Sequence, residues 1–213
     1  MNKILCIGDS FTYGDELPNP STQAWPALLA NMNNWEVKNM GIRGGSNERL
    51  VRVLFEEIDN NYDLVILSWT VWLRLEVYNT LKNTPVCIGV GTYSYYGADW
   101  AKDYYASWHH DLFSYKRMLT QIILTQNYLK SINQKYICSM VYKTYPKFDI
   151  SEFNTLLNKV DTSHFLNYPE TLDSMVNDLP KGYYGHPLEE GHIRIASLTN
   201  EFINNKYPSL KRE

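Results

Sequence analysis

The sequence predicts an α/β domain built on a parallel sheet. Three observations carry this. The runs Ile4-Leu5-Cys6-Ile7, Asp63-Leu64-Val65-Ile66-Leu67-Ser68 and Tyr136-Ile137-Cys138-Ser139-Met140-Val141 are short and apolar, as strands buried on both faces are. Helical patterns lie between them. The first run ends on Gly8-Asp9-Ser10, and glycine lets a backbone turn sharply at a strand tip. Strands alternating with helices imply parallel pairing through right-handed crossovers.

The elements follow in order. Trp25-Pro26-Ala27-Leu28-Leu29-Ala30 reads as a helix with proline in its first turn. Trp35 to Asn39 reads as a second strand, and Gly41 to Asn47 as a turn feeding a helix. That helix, about Asn47 to Asn60, places Leu50, Val51, Leu54, Phe55 and Ile58 at amphipathic spacing. After the third strand, Trp69 to about Trp108 is irregular and rich in aromatics. It reads as a long insertion (about 69–108) with little regular structure of its own. Asp111 to Asn133 is a long helix, and Tyr136 to Val141 the next strand. Asp149 to Val160 and Pro169 to Leu179 are weaker helical patches. Gly191 to Asn204 is the final helix.

The chain has 213 residues, the length of one sizeable domain, and 44% of them are hydrophobic, enough for a full core. A net charge of −3 with no basic cluster gives no electrostatic case for nucleic acid or an anionic membrane. No apolar run approaches a membrane span, and Met1-Asn2-Lys3 leads straight into a core strand without a signal peptide. The expected location is the cytoplasm. Cys6 and Cys138 lie in apolar runs and read as buried free thiols. His186 and His192 are spaced unlike a metal pair on one helical face, and no Cys or Asp cluster supports them, so neither a metal nor a cofactor is expected.

Two motifs bracket the domain. Gly8-Asp9-Ser10-Phe11-Thr12-Tyr13-Gly14 presents a serine at the carboxyl edge of the sheet, where open α/β folds place their sites. Gly185-His186-Pro187 precedes the last helix. A serine hydroxyl is a poor nucleophile without a base beside it. Asn39-Met40-Gly41-Ile42-Arg43-Gly44-Gly45-Ser46-Asn47 lies after the second strand and could aim backbone N–H groups at a developing oxyanion. Each motif also has a plain reading when taken alone: Ser10 as a helix cap, the glycine loop as a turn, His186 as a buried hydrogen-bonded histidine.

Together, Gly8-Asp9-Ser10, Asn39-x-Gly41-x-x-Gly44 and His186-Pro187 with Glu190-Gly191 behind it resemble the SGNH hydrolase superfamily, the GDSL-type esterases and lipases. Thr70–Arg74–Glu76 and Gly45-Ser46-Asn47 also resemble a divergent branch associated with bacteriophage genomes. The resemblance implies a three-layer α/β/α, flavodoxin-like domain of about five parallel strands in the order 2-1-3-4-5. It implies attack by Ser10 on an ester, thioester or amide carbonyl, with His186 as base and the Ser10 and Gly44 N–H groups as oxyanion donors. The substrate class it implies is a small-molecule or carbohydrate ester.

Two departures stand out. The family's third block places an asparagine in the oxyanion hole, and here Thr70 falls at that position; Asn47 is the other candidate donor. The family's acid sits three residues before the histidine, where this chain has Tyr183. Asp178 or a backbone carbonyl is the alternative for orienting His186. Without an acid, Ser10 and His186 form a dyad. A catalytically impaired binding or interaction protein on the same fold is the competing reading.

Overall fold

In the computed structural model, the described residues are 1–80, 82–89, 100–142 and 149–210. Among the described residues six strands are formed: β1 (Lys3–Ile7), β2 (Glu36–Asn39), β3 (Leu64–Trp69), β4 (Leu75–Asn79), β5 (Thr84–Ile88) and β6 (Tyr136–Met140). The helices are α1 (Ser10–Tyr13), α2 (Pro20–Gln23), α3 (Trp25–Asn33), α4 (Asn47–Glu57), α5 (Ala101–Ser107), α6 (Asp111–Ser131), α7 (Asn154–Leu157), α8 (Leu172–Met175) and α9 (Glu189–Lys206).

The main sheet is parallel, with order β2-β1-β3-β6. Among the described residues it has four strands, against the expected five or so. Beyond β6, at the place of a further strand, a single parallel bridge joins Cys138 to Phe165. The described segment there passes from a one-turn helix at Thr162–His164 through this bridge into turns, and forms no strand.

Strand periodicity sets the layers. On one face Leu5, Ile7, Val65, Leu67, Tyr136 and Cys138 pack against Leu50 and Leu54 of α4 and Met118 and Ile122 of α6. On the other, Ile4, Cys6, Leu64, Ile66 and Ile137 pack against Trp25 and Leu29 of α3 and Ile195 and Ile203 of α9. Both faces of β1 and β3 are therefore covered, which is why their sequences are continuously apolar rather than alternating. Cys6 and Cys138 are buried free thiols, and burial pushes the Cys138 thiol up to about 12.

The insertion is more ordered than its sequence implies. β4 and β5 form an antiparallel hairpin, and Leu75, Val77, Val86 and Ile88 pack with Ala101 and Tyr105 of α5. Arg52 on α4 holds the hairpin through Glu76, at 2.7 and 2.9 Å. Residues 90–99 of the insertion lie outside the described residues. Among the described residues no helix is long and apolar enough to cross a membrane.

Candidate active site

β1 delivers the chain to the carboxyl edge, and Gly8 turns it. An added Cβ at Gly8 would sit 2.2 Å from Thr12 Oγ1, so only glycine fits this turn. Asp9 caps the single-turn helix α1, its Oδ1 accepting from Phe11 N–H at 3.1 Å. Ser10 is the first residue of α1, so its own N–H has no partner within the helix. The hydroxyl of Ser10 makes no hydrogen bond among the described residues.

α1 ends at Gly14 in the left-handed conformation, φ 88°. Two residues later Glu16 also has a positive φ, 66°, which is uncommon for a residue with a side chain and concentrates where the surrounding structure enforces it. The enforcement is visible. The Glu16 carboxylate accepts from the backbone N–H of Tyr184 at 3.0 Å and of His186 at 3.2 Å. Its Oε2 lies 2.8 Å from His186 Nδ1. Gly182 makes the approach possible, since a Cβ there would lie 2.5 Å from the carboxylate.

This contact fixes the imidazole. A carboxylate only accepts, so the neutral ring carries its proton on Nδ1 and leaves the Nε2 lone pair open. Asp15 Oδ2 stands 3.9 Å from Nε2, while Asp15 Oδ1 is taken by Arg43 Nε at 2.7 Å. The His186 ring meets Phe11, the residue after the serine, edge to face with centroids 5.9 Å apart. The two ends of the chain therefore meet at one edge of the sheet. Burial pushes the Glu16 carboxyl up, but hydrogen bonds from Tyr184 and His186 and the His186 charge outweigh it and hold it below its ordinary value.

The acid position expected from the sequence is empty of chemistry. Tyr183 is 92% exposed. Asp178 is paired with Arg194. The carboxylate that meets His186 comes from 170 residues away in sequence, not from the three residues before the histidine. The available signal was the adjacent pair Asp15-Glu16, two carboxylates directly after the Gly14 turn.

The second motif lies on the first. A Cβ on Gly45 would sit 2.9 Å from Gly8 O and 3.3 Å from Asp9 Cα. Asn39 pins the loop, its amide donating to Thr12 O at 2.8 Å and its oxygen accepting from Gly41 N–H at 2.9 Å. Gly44 adopts φ 65°, and among the described residues its N–H donates to no protein group. Ser46 caps α4 through Arg49 N–H.

The candidate side-chain donors are placed differently. Thr70 Oγ1 donates to Asp9 Oδ2 at 2.7 Å and accepts from Arg74 Nη1 at 2.8 Å. A threonine hydroxyl has one proton, and here Asp9 takes it. Asn47 faces the Thr70 backbone, donating to its carbonyl at 3.1 Å and accepting from its N–H at 2.9 Å. These bonds stitch the start of α4 to the end of β3. Arg74 joins the group: Nη1 lies 2.7 Å from Asp9 Oδ2 and 3.2 Å from Gly45 O. Burial works against the Arg74 charge, but the Asp9 carboxylate and Tyr142 raise its pKa above the ordinary value. Asp9 is fully buried, so Arg74 is its counter-charge.

His192 is not part of this chemistry. It is fully buried, and its Nδ1 accepts from Trp25 N–H at 3.1 Å, which ties the start of α3 to α9. Burial first, then the His186 charge, pull its pKa down to about 4. Among the described residues no three His, Cys, Asp or Glu side chains are grouped as metal ligands.

No protein-family model and no curated protein sequence matches the chain. Solved structures do. A lipolytic protein of the G-D-S-L family from Desulfitobacterium hafniense superposes with TM-score 0.55 at 16% identity, covering 95% of this chain and 99% of its own. The psychrotrophic esterase EstA from a Pseudoalteromonas species, in a form inhibited by monoethylphosphonate, gives 0.59 at 14% identity, covering 96% and 98%. A family two carbohydrate esterase from Clostridium thermocellum, in complex with cellohexaose, gives 0.54 at 15% identity, covering 97% of this chain and 65% of its own. The chain shares the fold of these structures, at low identity.

Proposed function

We propose that this protein is a serine hydrolase of carboxylic esters, with Ser10 as nucleophile, His186 as general base and Glu16 as the acid that orients the base. One observation carries the reading. Glu16 Oε2 holds His186 Nδ1 at 2.8 Å and leaves Nε2 open beside the helix that bears Ser10. In this mechanism Nε2 takes the Ser10 proton as Oγ attacks the ester carbonyl. The imidazolium that forms is stabilised by Glu16. Charge on the carbonyl oxygen is met by the Ser10 and Gly44 N–H groups, which donate to no other group among the described residues. His186 then protonates the departing alcohol, and water repeats the sequence to free the acid.

The substrate class is a small-molecule or carbohydrate-borne ester, in keeping with the esterases that share the fold. The test is turnover of nitrophenyl acetate, with Ser10→Ala expected to abolish it while the far-ultraviolet circular dichroism stays unchanged. Turnover that survives Ser10→Ala rejects the assignment. The bonding of Thr70 and Asn47 to their neighbours favours a second reading, a binding protein on a hydrolase fold. That reading expects no turnover in either protein.

A further inference from the structure

A cavity of about 80 Å³ opens beside the carboxyl end of β6. Met118, Leu119 and Ile122 of α6 form one wall, and Met140, Val160 and Phe165 form the others. Among the described residues no charged side chain lines it, and the Thr171 hydroxyl at its edge is engaged in capping α8. Its relation to the site runs through Tyr142. That side chain lines the cavity and meets Phe11 edge to face at 5.2 Å. Phe11 follows the proposed nucleophile directly, and its ring also meets the His186 ring.

We propose that this cavity receives the apolar end of the substrate's acyl chain, so that the protein prefers esters of medium-length, uncharged acyl groups over acetate. The inference rests on the reading of Ser10 as nucleophile. An acyl group held at Ser10 has its carbonyl over the Ser10 and Gly44 N–H groups, and its tail then runs along the carboxyl edge, past Tyr142. The cavity is roughly half the size of one that holds benzene, which gives room for about three carbon atoms. The fitting acyl groups are therefore longer than acetate by about three carbons or more. Met118 and Met140 suit a flexible chain, because methionine re-packs around irregular shapes.

The experiment compares kcat/KM for nitrophenyl acetate, butyrate, hexanoate and octanoate. Labelling of Ser10 by a fluorophosphonate probe is measured in parallel. Burial of each added methylene predicts a rise of about fourfold per carbon until the cavity is full. Val160→Trp, which fills the half-buried wall, is expected to lower the octanoate-to-acetate ratio at least tenfold. Val160→Ala is expected to move the preferred chain to a longer acyl group. A flat or falling profile in a protein that labels at Ser10 overturns the cavity assignment and leaves the hydrolase reading standing. Absence of both labelling and turnover rejects the hydrolase reading. The cavity is then decided by the ¹³C-methyl methionine spectrum with added 2-octanone. Shifts at Met118 and Met140 that vanish in Val160→Trp support an apolar-chain site, and unmoved signals overturn it.

Discussion

The site has two halves, and they use their polar groups in opposite ways. The half built on β1 and the loop before α9 holds Ser10, Glu16 and His186. There one histidine nitrogen is clamped and the other left open, and the serine hydroxyl has no partner among the described residues. The half around the end of β3 holds Thr70 and Arg74, with Asp9 from the end of β1 and Asn47 from the start of α4. There the hydrogen bonds run inward: Thr70 to Asp9, Arg74 to both, Asn47 to the Thr70 backbone. In the proposed mechanism the first half keeps bonding capacity for a reacting molecule. The second spends its capacity on bracing the strand tips that carry the first. Residue types alone do not separate these roles; the partners do.

The sharpest way to break this contrast is Glu16→Gln. It keeps the shape but removes the charge that holds the imidazole, and turnover is expected to fall by roughly two to four decades. A loss under threefold in steady-state kinetics places the orienting role elsewhere. Glu16 also links the loop to pH. Its folded pKa is depressed, so its stabilising contribution is present above the ordinary carboxyl range and is lost as pH falls through the lowered value.

In the bracing half the largest effect is expected on stability. Arg74→Ala leaves Asp9 buried without its counter-charge, at a cost of about 3 kcal/mol in urea unfolding. An unchanged midpoint shows that water or another donor already serves Asp9.

The two histidines extend the comparison. They are six residues apart, yet His186 meets a carboxylate and His192 is enclosed. For His192 the folded pKa of about 4 lies below the ordinary value of 6.5. The unfolded chain therefore takes up a proton first as pH falls. The stability it supports is complete above about pH 6.5 and declines toward pH 4, by about 3 kcal/mol in total. His192→Gln, which keeps an acceptor for Trp25 N–H, should flatten that part of the stability–pH curve. An unaltered slope assigns the acid sensitivity to carboxylates.

The smallest catalytic effects are expected at the positions the sequence marked as departures. Thr70→Val should cost about 1–2 kcal/mol of stability through the lost bond to Asp9. It should change turnover little in a protein that stays folded. A decade or more of lost turnover returns Thr70 to the oxyanion role. Tyr183→Asp is expected to be near-neutral, since Glu16 occupies Nδ1 and Tyr183 points to solvent.

Much of this was legible in the sequence. The apolar runs of β1, β3 and β6, the Gly-Asp-Ser turn and the histidine before the last helix all come from local pattern, and each element forms where expected. The hairpin of β4 and β5 was not legible, because its alternation is short and sits among tyrosines and tryptophans. The missing fifth strand reflects a segment that makes one bridge and then turns. Glu16 escaped for a different reason. Its role depends on a left-handed turn after α1 and on Gly182, which meets it from the far end of the chain. No local period or spacing encodes a contact of that kind.

The central claim is that Glu16 activates Ser10 through His186. It is tested most directly by the rate at which a fluorophosphonate probe labels the wild-type protein, Glu16→Gln and Ser10→Ala, with the labelled residue mapped by mass spectrometry. The account predicts labelling at Ser10 in the wild type, labelling at least tenfold slower in Glu16→Gln, and none in Ser10→Ala. Equal rates in the wild type and Glu16→Gln, or a label mapped to another residue, would contradict it.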